Sequence, residues 1–130
     1  MPGRRFGASK PVYILTSRIT GSGAEQFAYI LQAIKRVKIV GEKTGGKANG
    51  GSVHRINDHF QAFIPNGCPK NPITKASWDG IGVLPDIESS SDEAYEKAYH
   101  MILQQLLQHF NENPEPGRER LMADIKKILN

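Results

Sequence analysis

The chain of 130 residues has one cysteine, Cys68, and one tryptophan, Trp78. A single cysteine excludes an internal disulfide and any cysteine-built zinc site. No stretch approaches the ~18 consecutive apolar residues that read as a membrane span. Basic residues outnumber acidic ones, 17 to 13, for a formal net charge of +4. They are scattered, however: Arg4, Arg5, Lys10, Arg18, Lys35, Arg36, Lys38, Lys43 and Lys47 share no basic run interleaved with aromatics. That argues against nucleic acid as a partner. Residues 1–10 are basic and glycine-containing and have no apolar core of the kind a secretory leader uses. Internal repeats and low-complexity tracts are also missing. No two of His54, His59, His100 and His109 have the i, i+4 spacing of a zinc helix.

What is present suits one ordinary domain with a modest core, since 38% of residues are apolar. Pro11-Val12-Tyr13-Ile14-Leu15-Thr16 reads as a buried strand. Apolar residues then recur at Ala24, Phe27, Ala28, Leu31 and Ile34, predicting a helix over about 23–36 with that face inward. Lys38-Ile39-Val40-Gly41 reads as a second buried strand, so the order is that of a parallel α/β unit. Residues 52–56 and 59–64 alternate around Asn57-Asp58, a hairpin signal. Pro65, Gly67, Pro69, Pro72 and Gly80 predict a long irregular loop over 65–80, and 82–87 reads as extended. Residues 89–93 offer N-caps for a helix over about 92–111 facing inward with Ala94, Ala98, Met101, Ile102, Gln105, Leu106 and Phe110. Pro114 to Gly117 break it before a short basic helix over about 117–129.

Three patterns could carry chemistry. Ser22 falls where a strand and short loop give way to a helix, beside unpaired N–H groups and the positive end of the helix dipole. That is the setting of a nucleophilic serine next to an oxyanion hole. Ser22 and Glu25 equally spell a capping box. The loop Gly41-Glu42-Lys43-Thr44-Gly45-Gly46-Lys47-Ala48 approaches the phosphate-binding pattern G-x-x-x-x-G-K-[ST]. Ala48 replaces the hydroxyl, and a nucleotide site would need a helix after it. A Ser–His–Asp triad from Ser22, His54 or His59, and Asp58 or Asp79 is conceivable but has no motif behind it.

Two blocks of the chain resemble the C-terminal processing (tail-specific) peptidase family. They are KPVYILTSRITGSGAEQFAYILQAIKRVKIVGEKTGGKANGG and FIPNGCPKNPITKASWDGIGVLPDI, and the likeness runs from about Gly7 to Asp86. The branch nearest in pattern holds the tricorn core protease and the interphotoreceptor retinoid-binding protein. The resemblance implies an α/β fold forming part of a ClpP/crotonase-like β/α spiral, with C-terminal helices. The division it suggests is a lead-in loop over 1–10, the C-terminal part of the catalytic domain over 11–112, and a short helix over 113–130. It places the nucleophile on Ser22 and one oxyanion donor on the N–H of Gly23. For the base it implies one of two solutions. Lys47 falls on the lysine of a Ser/Lys dyad, which must be neutral to accept a proton. The other branch uses a histidine far upstream, which would lie outside this chain, and the blocks at 71–74 and Trp78 favour that branch. Asp79 stands where that branch has a glutamate, one methylene shorter. No metal or organic cofactor is implied. The implied partner is a peptide or protein substrate, and open sheet edges would favour association with further copies or with a missing N-terminal half. The alternative is a non-catalytic peptide- or lipid-binding relative, or an inactive fragment, that keeps the fold without turnover.

Overall fold

The computed structural model describes residues 10–129. All but Lys10 of the expected lead-in lies outside the described residues. In chain order the elements are β1 (Tyr13–Thr16), α1 (Gly23–Ala33), β2 (Lys38–Gly41), β3 (Gly50–Arg55), β4 (Gln61–Gly67), β5 (Ile87–Glu88), α2 (Ala94–Glu112) and α3 (Glu119–Leu129).

The main sheet is parallel, in the order β1-β2-β5. Tyr13 to Thr16 run beside Lys38 to Gly41, and Val40 lies opposite Ile87. Side chains alternate across the pleat, so neighbouring residues serve opposite faces. Ile39, with Val12 and Ile14 against it, shares one face with Ala28 of α1, Trp78 and Val83. Val40, Tyr13 and Ile87 meet Ala94 and Ala98 of α2 on the other. The small alanines let α2 sit close to the sheet, and Gln105 Nε2 donates to the Tyr13 hydroxyl at 2.8 Å. Helix α3 packs on α2, with Ile125 buried.

Four departures from the sequence reading have physical causes. β1 lies at the sheet edge, so Leu15 remains 44% exposed rather than buried. Helix α1 is rotated from its apolar stripe: Glu25 and Ala28 are buried, while Phe27 and Ile34 face outward. The loop amides that Glu25 gathers, described below, decide that rotation. The expected strand over 82–87 shrinks to Ile87–Glu88 because the Asp86 carboxylate, not a backbone carbonyl, accepts from the Ile39 N–H at 2.7 Å. In the hairpin, β3 pairs with β4 but the connection spans residues 56–60. Asn57 Oδ1 accepts from the N–H groups of His59 and Phe60, both at 2.9 Å, an Asx turn in place of a two-residue one. Every residue of β3 is exposed.

Candidate active site

The turn leading out of β1 is fixed before it reaches Ser22. Thr20 donates its N–H to the Ser17 carbonyl, and its hydroxyl accepts from the Ser17 N–H, each at 3.0 Å. The Thr20 carbonyl in turn accepts from Gly45 N–H at 2.9 Å. Ser22 follows as the N-cap of α1, with φ 54° and ψ −124°. Only glycine adopts that region without cost, and Ser22 is flanked by Gly21 and Gly23. The residue is exposed. Beyond it, a Cβ built on Gly23 would meet nothing within 4 Å. Among the described residues no acceptor engages the Gly23 N–H. The turn therefore presents an exposed serine beside an unengaged amide at the positive end of a helix.

Glu25 anchors the glycine loop beneath this turn. Its carboxylate is fully buried. Oε1 accepts from Thr44 Oγ1 at 2.5 Å and from Gly46 N–H at 2.6 Å. Oε2 accepts from Lys47 N–H at 2.8 Å and from Ser22 N–H at 2.9 Å. Burial pushes the carboxyl pKa up, but hydrogen bonds from Thr44, Gly46, Lys47 and Ser22 outweigh it and hold the group below its ordinary 4.5. The Ser22–Glu25 pair is thus a capping box whose glutamate also ties in a distant loop.

Segment 78–83 closes the loop from the other side. Thr44 Oγ1 also accepts from Val83 N–H at 2.7 Å, and Gly80 N–H donates to the Gly46 carbonyl at 2.9 Å. Gly82 is required here: its φ is +82°, and a Cβ would stand 2.3 Å from the Thr44 carbonyl oxygen. Asp79 Oδ1 accepts from Ala48 N–H at 3.1 Å and Asn49 N–H at 3.3 Å, and Oδ2 accepts from Asn49 Nδ2 at 2.7 Å. Trp78 is buried against Tyr29, with ring centroids 5.2 Å apart.

Lys47 is exposed, and its stem runs back over the Ser22 turn. A Cβ on Gly21 would lie 3.3 Å from Lys47 Cδ, and one on Gly45 would lie 3.6 Å from Lys47 Cε. Among the described residues its ammonium makes no ion pair or hydrogen bond.

The fold therefore gathers Ser22, Gly23 and Lys47 at one turn and sets Asp79 against residues 48 and 49, just after Lys47. His54 and His59 belong to the exposed hairpin, and neither bonds to Ser22 or Asp79 among the described residues. Asp58 is paired with Arg55. The phosphate-loop reading ends here, because strand β3, not a helix, follows Ala48 and Asn49. Sequence reasoning missed Thr44 and Asn49 altogether. Their partners lie 19 and 30 residues away in the chain, so no local spacing marks them.

A serine at a strained strand-to-helix turn in an α/β chain is the setting of nucleophilic-serine hydrolases. The chain belongs to peptidase family S41, whose sequence model matches residues 3–89, and so to a family of serine-type peptidases. Among solved structures it is similar to the photosystem II D1 C-terminal processing protease: 28% identity over 65% of this chain and 22% of that one, TM-score 0.55. Mature CPAF complexed with lactacystin matches in fold at 23% identity, over 81% of this chain and 21% of that one, TM-score 0.59. Mature CPAF alone matches at 22% identity, over 82% and 22%, TM-score 0.58. The chain thus spans about a fifth of the length of the structures it matches.

Proposed function

We propose that this chain carries the nucleophile-bearing part of a serine peptidase that cleaves peptide or protein substrates near their C-termini. The observation that carries the reading is the strained Ser22 at the mouth of α1, with the Gly23 N–H beside it engaged by no acceptor among the described residues. Strain of this kind persists only where surrounding structure enforces it, and it clusters at reactive sites. Ser22 Oγ attacks the scissile carbonyl carbon and gives its proton to Lys47 Nζ, an exposed amine that must first lose its own proton as bound peptide takes it out of water. The carbonyl oxygen becomes an oxyanion that accepts from Gly23 N–H. The intermediate collapses to a peptidyl-serine ester, and the leaving amine takes the proton back from Lys47. Water gives a proton to the neutral Lys47 amine as it attacks the ester carbonyl, and Lys47 returns that proton to Ser22 Oγ as the acid leaves. Lys47 is preferred as base because its stem crosses Gly21, the residue next to Ser22. The C-terminal preference rests on the processing activity in the name of one similar protease.

The same reading makes the three-stranded sheet and its outstanding hairpin part of a ClpP/crotonase-like β/α spiral. Further strands, from another copy or another part of the catalytic domain, would continue it. Among the described residues β1 and β5 have no partner on their outer edges, which supports this.

The test is labelling of the purified chain by a fluorophosphonate probe. Labelling is expected on Ser22, abolished by Ser22→Ala and strongly slowed by Lys47→Ala. No labelling of wild type, or equal labelling of wild type and Ser22→Ala, would favour the non-catalytic alternative.

A further inference from the structure

We infer that Asp79 is a positioning residue that works with Asn49 to hold Lys47 over Ser22, and that it takes no part as acid or base. The inference rests on the peptidase reading for its purpose but on hydrogen-bond geometry for its content. Four consecutive backbone amides flank and include the lysine. Those of Gly46 and Lys47 point at Glu25, and those of Ala48 and Asn49 point at Asp79. The lysine backbone is therefore held between two carboxylates fixed to different walls. Glu25 sits on α1. Asp79 follows Trp78, which is buried in the core against Tyr29. The Asp79 carboxylate is occupied by these contacts, since both oxygens already accept from the 48–49 segment.

Small movements here matter. The lysine stem passes 3.3 Å from where a Gly21 Cβ would stand, so it lies along the serine turn, and its backbone anchors set where the exposed amine reaches. Releasing Ala48 and Asn49 would let the lysine backbone pivot on its Glu25 contacts and swing the amine away from Ser22. Misplacement of a reacting group by about 1 Å costs on the order of a hundredfold in rate.

The geometry also separates this role from a chemical one. Asn49 Oδ1 is buried and has no hydrogen-bond partner among the described residues. If Asp79 becomes asparagine, the new carbonyl can still accept from the two backbone amides. The Asn49 side chain can then turn, so that Oδ1 accepts from the new amide nitrogen. The clamp survives without its charge. A carboxylate needed for proton transfer or field stabilisation would not survive that exchange.

The experiment measures the rate of fluorophosphonate labelling on the full chain as a function of pH, with amide hydrogen exchange on the same proteins. Asp79→Ala is expected to label about a hundredfold more slowly. Asp79→Asn is expected to recover to within about threefold of wild type, a loss in keeping with neutral replacing charge-assisted hydrogen bonds, and to keep the wild-type pH profile. In Asp79→Ala the amides of Ala48 and Asn49 should exchange faster while those of β1 and β2 keep their protection. The inference is overturned if Asp79→Asn is as slow as Asp79→Ala, or if Asp79→Ala labels like wild type. Should wild type itself not label, the peptidase reading fails. Exchange at Ala48 and Asn49 then still decides the clamp, and unchanged exchange in Asp79→Ala would refute it.

Discussion

Ser22 is the residue at which stability and chemistry pull apart. Its φ of 54° places an L side chain where glycine belongs, and such residues cost about 1–3 kcal/mol. Glycine is almost as good an N-cap as serine, at a loss of a few tenths of a kcal/mol. Ser22→Gly is therefore expected to stabilise the chain by about 1 kcal/mol while removing all probe labelling. Urea midpoints of wild type, Ser22→Gly and Ser22→Ala would show this, with the alanine variant below the glycine one. Glu25 is the opposite case, a buried carboxylate that satisfies four donors. Glu25→Gln turns an amide N–H₂ toward those donors and should destabilise by about 3 kcal/mol. The sign of the pH effect follows from the lowered pKa. The unfolded chain binds this proton more tightly than the folded one, so the carboxylate contribution is complete above 4.5 and is lost as pH falls through the folded value. Urea unfolding from pH 7 to pH 3 should show wild type losing more stability than Glu25→Gln.

Among the elements, the glycine loop and the hairpin behave in contrasting ways. The loop between β2 and β3 has little regular structure, yet both its sides are tied down, by Glu25 and by segment 78–83. Gly82→Ala forces a Cβ to within 2.3 Å of the Thr44 carbonyl at a φ of +82°. It is expected to cost about 3 kcal/mol or more, read as a fall in urea midpoint, and to slow labelling of Ser22 with it. The hairpin β3–β4 has no packed face, and two strands alone are marginal in water. Its amides should exchange first, well before those of β1 and β2, in a native-state exchange series. The existence of both features was legible in the sequence, from glycine clustering and from alternation around Asn57. The loop's rigidity was not, because residues far apart in the chain impose it. The same reason explains why α1 turned a glutamate inward and left Phe27 and Ile34 outside.

As a whole, the molecule exposes 9659 Å². A compact monomer of 14.4 kDa exposes about 6,800 Å². Among the described residues, part of that area lies on the outstanding hairpin and on the apolar stripe of α1, where Phe27, Ile30 and Ile34 are 60%, 43% and 53% exposed. Exposed stripes of this kind bind hydrophobic dyes. The native chain is expected to enhance fluorescence of such a dye, and Phe27→Lys to lower it without a change in far-ultraviolet circular dichroism.

The strand–helix–strand order, the serine at its turn and the lysine 25 positions on are properties of the sequence, because periodicity and motif spacing are local. Which face of α1 turned inward, how the lysine stem came to cross the serine turn, and what Asp79 holds were settled only in three dimensions. Those outcomes depend on buried carboxylates finding backbone amides across long separations. Hydrogen-bond satisfaction in a core is a property of the packed chain, not of any segment of it.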